Sequence, residues 1–195
     1  MMTFDRTIFE AQINLNSAKK VKFKSKYDLV AIETIASFQS GLWKGKKEPF
    51  KSIKVIRNTN FILNNGKLDY TDVEEIQVEE KQLKERTLEF GDIIVEKSGG
   101  SETQAIGRVV IFEINDDDVY SYSNFCTRLR INRDKANPFY VWALLNEFYK
   151  KGGTIPLQNG VRLLNIDLEG YKKVKIPLPP KDIQEKIVIE IEQLE

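Results

Sequence analysis

The sequence predicts a mixed α/β fold: a twisted, largely antiparallel sheet or partly closed barrel, with packed helices and a protruding C-terminal helix. Short apolar runs of β-branched residues at 93–95 and 109–112 are bounded by turn residues, which is typical of strands. Segments 53–57 and 126–131 alternate apolar and polar residues, as strands with one buried face do. Helical spacing of apolar residues after position 138 predicts a packed helix.

In the first half of the chain, residues 1–26 form an uncertain N-terminal arm or extension, within which 21–24 alternates like a short strand. Residues 27–36 predict a strand followed by a short helical turn. A charged segment at 72–78 is a strand or an irregular connection, and a short helix follows over about 79–86.

The stretch 88–114 predicts a strand, a glycine-rich polar loop and a second strand. Gly99 and Gly100 give the loop backbone angles that other residues resist. Two interpretations stay open: an ordinary hairpin with a long loop, or a recognition surface held between two ordered strands.

In the second half, 126–131 predicts a strand with two arginines on one face. Asn137 fits a helix N-cap with Pro138 at the first helical position, and glycines at 152 and 153 end the helix. A last strand at 173–176 and a proline-rich connector lead into the C-terminal helix.

The C-terminal helix, 181–195, has Asp182 and Glu185 spaced as a capping box. Its apolar stripe consists of Ile183, Ile187, Ile191 and Leu194. A stripe of this kind needs a partner surface, either its own domain or another helix.

The composition excludes several function classes. Of 195 residues, 41% are hydrophobic and 30% charged, as in ordinary globular domains. The chain has no apolar run near the roughly 20 residues that span a bilayer, so no membrane contact is expected. Its first residues lack the pattern of a secretory signal, so a cytoplasmic location is expected. The single cysteine, Cys126, excludes an internal disulfide.

Catalysis is not expected. The absence of histidine excludes Ser-His-Asp and Cys-His catalysis and histidine-based zinc sites. Glu96 and Lys97 are adjacent, so on a strand they would point to opposite faces and could not share a metal. We therefore expect no catalytic residue, no cofactor and no metal.

Charge and polar residues point instead to binding. The net charge is only +1, but lysines cluster at 19–26 and 44–54, and acidic residues at 72–80 and 113–118. Trp43 lies among lysines and either stacks against a base or packs under its own loop.

Five blocks of the sequence occur in an order that resembles one target recognition domain of the specificity (S) subunit of type I restriction–modification systems. These blocks are 27–41, 53–68, 90–112, 122–131 and 174–195. The last block, VKIPLPPKDIQEKIVIEIEQLE, carries most of the resemblance. The resemblance places a DNA target recognition domain at 27–180 and the start of a spacer or dimerisation helix at 181–195.

The resemblance implies a non-catalytic subunit that binds duplex DNA and acts with methyltransferase (M) and restriction (R) subunits. Such subunits have two recognition domains separated by long helices. The chain would be an excised N-terminal half or a natural half-subunit, with a homodimer or a second recognition domain completing it. Alternatives are a protein-interaction module working through its C-terminal helix, and the DNA-recognition arm of a fused restriction–methylation enzyme.

The resemblance assigns DNA contacts to polar residues in loops between strands. Phosphate contacts would come from Lys44, Lys46, Lys47, Lys97 and Arg108. Base contacts would come from Arg57, Asn58, Asn60, Ser98, Ser101, Gln104, Asn124, Arg128, Gln158, Asn159 and Arg162, with Trp43 beside them. Asn58 and Asn60 could instead cap a turn, and Arg108 and Arg128 could form internal ion pairs.

Overall fold

The computed structural model describes residues 21–43, 45–63, 65–100, 104–160 and 163–193. The strands in these ranges are β1 (Leu29–Ala31), β2 (Ala36–Ser40), β3 (Phe50–Ile56), β4 (Glu74–Glu79), β5 (Ile93–Glu96), β6 (Ser98–Gly99), β7 (Val109–Ile111), β8 (Tyr120–Tyr122), β9 (Cys126–Ile131), β10 (Gln158–Asn159), β11 (Leu164–Ile166) and β12 (Lys175–Pro177). The α-helices are α1 (Glu80–Arg86), α2 (Pro138–Lys150), α3 (Leu168–Lys172) and α4 (Lys181–Glu192).

The strands form four small sheets, and the predicted mixed α/β, largely antiparallel fold is confirmed. The main sheet has the order β2-β9-β5-β7, and the others are β4-β3-β8, β10-β11-β6 and β1-β12. All pairs are antiparallel except β3 with β8. The main sheet has β2 and β7 as its two edge strands, so it is not closed into a barrel.

Strand β5 is buried on both faces, which explains its unbroken apolar run. Ile93 and Val95 belong to the core beneath α2, together with Leu129 from β9. Ile94 points the other way, into a second core that includes Tyr122. The hairpin predicted at 88–114 is confirmed, since β5 pairs antiparallel with β7.

Helix α2 begins as the sequence predicts. The Asn137 Oδ1 accepts hydrogen bonds from the backbone N–H groups of Phe139 (2.9 Å) and Tyr140 (3.4 Å). Pro138 occupies the first helical position, where its missing N–H costs nothing. The helix buries Val141 and Leu145 against the main sheet.

Replacing the N-cap should weaken this helix measurably. Asn137→Ala leaves the first N–H groups of α2 without their acceptor and should lower the free energy of unfolding by about 1 kcal/mol, measured by urea denaturation. Asn137→Ser, which restores an acceptor, is the control and should recover most of that loss. Equal destabilisation by both variants would contradict a capping role.

The C-terminal helix α4 packs against α2 at its start. Gln184 is fully buried, and its Oε1 accepts from the Asn137 N–H at 2.8 Å while its Nε2 donates to the Pro179 carbonyl at 2.8 Å. Ile187 and Val188 are half-buried against the main core.

Two local predictions are wrong. The capping box of Asp182 and Glu185 does not form, because α4 starts at Lys181 after Pro180 and the N-cap residue makes no side-chain hydrogen bond. Residues 21–24 form no strand; instead the Phe23 ring stacks on Phe148 of α2, with centroids 6.2 Å apart. For residues 21–24, this ring contact with α2 takes the place of the predicted strand pairing. No helix among the described residues is long and apolar enough to cross a membrane.

Candidate nucleic-acid interface

Four loop segments meet at one end of the strands of the main sheet. Ser40, at the end of β2, is paired with Thr127 near the start of β9. Thr127 is also paired with Val95 near the end of β5, and Val95 with Val109 at the start of β7. Residues 41–43, 97–100, 104–108 and 123–125 therefore lie side by side, and we call them the loop edge.

The approach of two of these loops is very close. The Leu42 N–H donates to the Tyr122 carbonyl at 2.9 Å, and a side chain at Gly41 would collide with the Ser123 carbonyl. Glycine at position 41 is therefore required by contact between the loops.

Two further segments reach the same region. The Ser123 N–H donates to the Ile56 carbonyl at 2.9 Å, which brings the end of β3 and the 3-10 turn Asn58–Asn60 to the loop edge. On the other side, β6 pairs with β11, placing Ser98 opposite Asn165. Strand β10, which contains Gln158 and Asn159, lies next to β11 on the other side of it from β6.

A buried ion pair organises the turn at 58–60. Arg108 Nε and Nη2 donate to the two carboxylate oxygens of Glu96 at 2.9 and 2.8 Å. Arg108 Nη2 also donates to the Asn58 carbonyl at 2.9 Å, and Asn58 Nδ2 donates to Glu96 Oε1 at 3.2 Å. Arg108 thus forms an internal ion pair, one of the two roles predicted for it, and its guanidinium faces the protein.

The surroundings of Arg108 favour its charged form. Glu96 is only 1% exposed. Burial lowers the pKa of the Arg108 guanidinium, but the hydrogen bonds and charge of Glu96 raise it by more, so the net pKa is above its ordinary value. The Arg108 guanidinium therefore carries its positive charge where it meets Glu96.

Asn60 behaves as a capping residue. It is 4% exposed; its Oδ1 accepts from the Arg57 N–H at 2.9 Å, and its Nδ2 donates to the Asp72 carbonyl at 2.9 Å. Arg57 is half-buried, and its guanidinium forms an ion pair with Glu74. Of the three predicted base contacts in or directly before this turn, Asn60 is bonded within the fold, while Arg57 and Asn58 remain partly accessible.

The glycine-rich loop is held by its neighbours. The N–H groups of Lys97 and Ser98 both donate to the Phe125 carbonyl, at 2.7 and 3.1 Å. Ser98 is buried, and its hydroxyl donates to Asn165 Oδ1 at 2.5 Å. Gly99 has φ +132°, and a Cβ there would lie 3.0 Å from Asn58 Nδ2, so the close approach that this glycine permits is to Asn58.

The remaining predicted residues of this region differ in exposure. Lys97, Gln104 and Gln158 are half-buried, and Asn124 and Asn159 are exposed. Gln158 Nε2 donates to the Ile106 carbonyl at 3.4 Å.

Trp43 is exposed, unlike a tryptophan packed under its own loop. Its side chain is 49% accessible, and the Arg86 guanidinium lies over the ring, 4.4 Å from its centroid. Gln82 fixes the backbone, since its Oε1 accepts from the Trp43 N–H and its Nε2 donates to the Trp43 carbonyl, both at 3.2 Å.

Lys46 and Lys47 lie in the connection that leads from the loop edge to β3. Their backbone N–H groups donate to Glu79 Oε1 at 2.6 and 2.8 Å, and Glu79 is paired with Phe50 at the start of β3. Lys81 Nζ lies 2.9 Å from the other carboxylate oxygen. The hydrogen bond from Lys81, followed by those from Lys47 and Lys46, lowers the pKa of Glu79 to about 2.

The Glu79 carboxylate should make the free energy of unfolding of the protein dependent on pH. Because the folded pKa of about 2 is below the ordinary value of 4.5, its stabilising contribution is present above about pH 4.5 and is lost as the pH falls towards 2. Glu79→Gln should therefore be less stable than the wild type at pH 7, with the difference shrinking at pH 2.5. Urea denaturation at both pH values measures this, with the exposed neighbour Glu80→Gln as control. A difference that is unchanged between the two pH values would contradict this role of Glu79.

Arg128 is turned away from the loop edge. Its side chain is buried, and its Nη1 donates to the Thr87 carbonyl at 3.2 Å, the same oxygen that Arg130 Nη2 approaches at 3.0 Å. The prediction that both arginines share one face of β9 is confirmed.

Lys44, Ser101 and Arg162 lie outside the described residues.

Three residues at or beside the loop edge were missed from the sequence. Phe125 is 41% exposed, Arg86 stacks on Trp43, and Asn165 bonds to Ser98. Phe125 had a signal, since it directly follows the predicted base reader Asn124. The described residues contain no group of three or more His, Cys, Asp or Glu side chains arranged to hold a metal.

A small mixed fold that collects amide, guanidinium, ammonium and aromatic groups from several loops at one edge is the architecture of a recognition domain. The chain belongs to the family described as the type I restriction modification DNA specificity domain, whose model matches residues 18–195.

Proteins similar to this chain are specificity subunits of type I restriction systems. The putative type I restriction enzyme MjaX specificity subunit of Methanocaldococcus jannaschii is 28% identical over 127 residues, which cover 64% of this chain and 29% of that protein. The S subunit of a type I restriction–modification system from M. genitalium has the same fold, with a TM-score of 0.55 and 14% identity over 89% of this chain and 40% of that one.

A third similar chain comes from a structure concerned with complex assembly and conformational transition of the type I R-M system. Its TM-score is 0.57, at 12% identity over 96% of this chain and 43% of that one. The chain therefore spans less than half the length of these relatives.

Proposed function

We propose that this chain is the specificity subunit, or its N-terminal half, of a type I restriction–modification complex, and that its loop edge binds duplex DNA sequence-specifically. The observation that carries the proposal is the family match over residues 18–195, combined with the convergence of the polar loops at one edge. In this role the chain contributes no catalytic group; the M and R subunits methylate and cleave the DNA it selects.

The accessible polar groups at the loop edge divide into two kinds of contact. Lys97 supplies a flexible ammonium suited to phosphate, and Asn58, Asn124 and Asn159 supply amides suited to adenine. Arg57 is suited to bind guanine. Its ion pair with Glu74, whose side chain is 51% exposed, contributes little free energy, so replacing it by a base contact costs little.

Two substitutions test base and phosphate contacts separately. A randomised duplex pool is first used to select the sequence that the chain prefers. Arg57→Ala should then weaken binding to the selected duplex about 10-fold or more, and weaken binding to unselected duplex less, because a bidentate base contact is worth about 1–3 kcal/mol. Lys97→Ala should weaken both alike and reduce the salt dependence by about one phosphate contact.

Lys175→Ala is the matched control, because Lys175 is an exposed lysine on β12, in a different sheet from the loop edge. It should leave binding to both duplexes unchanged. Failure of the pool to enrich any sequence, or equal losses for both duplexes with Arg57→Ala, would refute sequence-specific recognition by this edge.

An interaction module working through the C-terminal helix is the second candidate. The observation in its favour is Ile189 of α4, which is 53% exposed on a helix whose Gln184 side is buried against the domain. Of the predicted interface residues, Ile183, Ile187 and Ile191 are half-buried and Leu194 lies outside the described residues. Within the proposed complex, this exposed side of α4 is the surface offered to a second helix or to the M subunit.

A further inference from the structure

We propose that the turn at 123–125 reads one A·T base pair from the major groove, with Asn124 bonding to the adenine and Phe125 contacting the thymine methyl group. This inference rests on the proposed DNA binding and assigns a base pair to one part of the loop edge. The turn joins β8 to β9 and lies between the loop after β2 and the glycine-rich loop.

The backbone of the turn is held by hydrogen bonds within the domain. The Cys126 N–H donates to the Ser123 carbonyl at 3.0 Å, closing the turn. The Phe125 carbonyl accepts two N–H groups from the neighbouring loop, those of Lys97 and Ser98, and Ser123 is bonded to the end of β3. A side chain carried on such a backbone binds with little ordering of the protein.

Its two outward side chains make no hydrogen bond and no ring contact with the described residues. Phe125 is 41% exposed and has no aromatic contact with any described residue, whereas the next residue, Cys126, is fully buried. The Asn124 amide is exposed and makes no hydrogen bond to any described residue. A polar amide and an apolar ring are thus presented together on a fixed backbone.

A single exposed phenylalanine is ordinary in proteins, so exposure alone decides nothing. Its neighbour and its position decide the assignment. In the major groove an A·T pair presents the adenine N6 and N7 atoms beside the thymine methyl group. An amide bonds to the former in a bidentate way and an apolar ring packs on the latter, so adjacent Asn and Phe side chains match both features of one pair.

The test modifies the DNA, so that it does not depend on how variants fold. In the duplex selected from the randomised pool, each thymine is replaced in turn by uracil and each adenine by 7-deazaadenine. For wild-type protein, one A·T pair should show both effects: about 4-fold weaker binding with uracil, from loss of one methyl group, and about 5-fold or greater weakening with 7-deazaadenine.

Variants then assign the contacts. Phe125→Ala should abolish the uracil effect at that pair and keep the 7-deazaadenine effect, while Asn124→Ala should do the reverse. Phe90→Ala is the matched control, because Phe90 is similarly exposed, at 42%. It precedes the N-terminal end of β5, whereas the loop edge lies at the C-terminal end of that strand. The Phe90→Ala variant should keep both effects.

The outcomes separate this inference from the function it rests on. If no sequence is enriched from the pool, the proposed function fails. If a sequence is enriched but no thymine position shows a uracil effect that depends on Phe125, the assignment of an A·T pair to this turn is overturned and DNA recognition stands.

Discussion

Glu96→Gln is expected to lower the free energy of unfolding by about 3–5 kcal/mol, because it leaves a mostly buried guanidinium without its charge partner. Glu96 is 1% exposed and Arg108 14%, and two hydrogen bonds of 2.8 and 2.9 Å join them. Urea denaturation monitored by tryptophan fluorescence measures the loss.

The same pair should also control DNA selectivity, because it holds the turn that carries Asn58. Arg108 donates to the Asn58 carbonyl and Glu96 accepts from the Asn58 amide. The double variant Glu96→Leu with Arg108→Met replaces both charges by apolar side chains, which in buried pairs is often neutral for stability. We therefore expect it to recover most of the lost stability but to bind the selected duplex with reduced preference over unselected duplex.

A double variant that regains full selectivity would contradict this positioning role. One that remains as unstable as Glu96→Gln would instead show that the hydrogen bonds to Asn58, rather than the pairing of charge, stabilise the fold. The two readouts therefore separate structural and recognition effects.

Asp92→Asn should destabilise the protein by less, about 1–3 kcal/mol, without changing DNA selectivity, because Arg130 is 31% exposed and keeps Glu89 as a partner. Asp92 precedes β5, is 2% exposed, and accepts from Arg130 Nε and Nη2 at 2.8 and 2.7 Å. It also accepts from the Glu89 N–H at 2.8 Å, so its charge organises the turn that enters the strand.

This second pair is a control built into the same strand. Asp92 directly precedes β5 and Glu96 is its last residue, so only Glu96 lies at the loop edge. Selection from the randomised pool should return the same sequence for Asp92→Asn as for the wild type. A changed preference would show that a loss of stability away from the loop edge also alters recognition, which would refute the specific positioning role of Glu96.

Local elements were predictable because their causes lie close together in sequence. The N-cap at Asn137 bonds to residues two and three positions later, and the apolar run of β5 needs only its own side chains to be recognised. The strand and helical turn within 27–36 follow for the same reason.

The assignment of polar side chains was less predictable, because their partners are distant along the chain. Asn60 bonds to the Asp72 carbonyl, 12 residues away, and Arg128 to the Thr87 carbonyl, 41 residues away. The sequence shows that such residues can form hydrogen bonds but not whether a buried acceptor has already taken them. Lys46 and Lys47 were grouped with the loops by sequence proximity, yet Glu79, more than 30 residues away, holds their backbone at the start of β3.

The sequence by itself determined the elements, the family and the kind of chemistry available, because propensity, periodicity and the order of motifs are local properties. Only the tertiary structure decided which polar groups face outward and which loop segments lie together at the loop edge, because strand register is set by contacts between distant segments. Phe125 shows the difference: the sequence places it in a turn before β9, and pairing with the glycine-rich loop brings it to the loop edge.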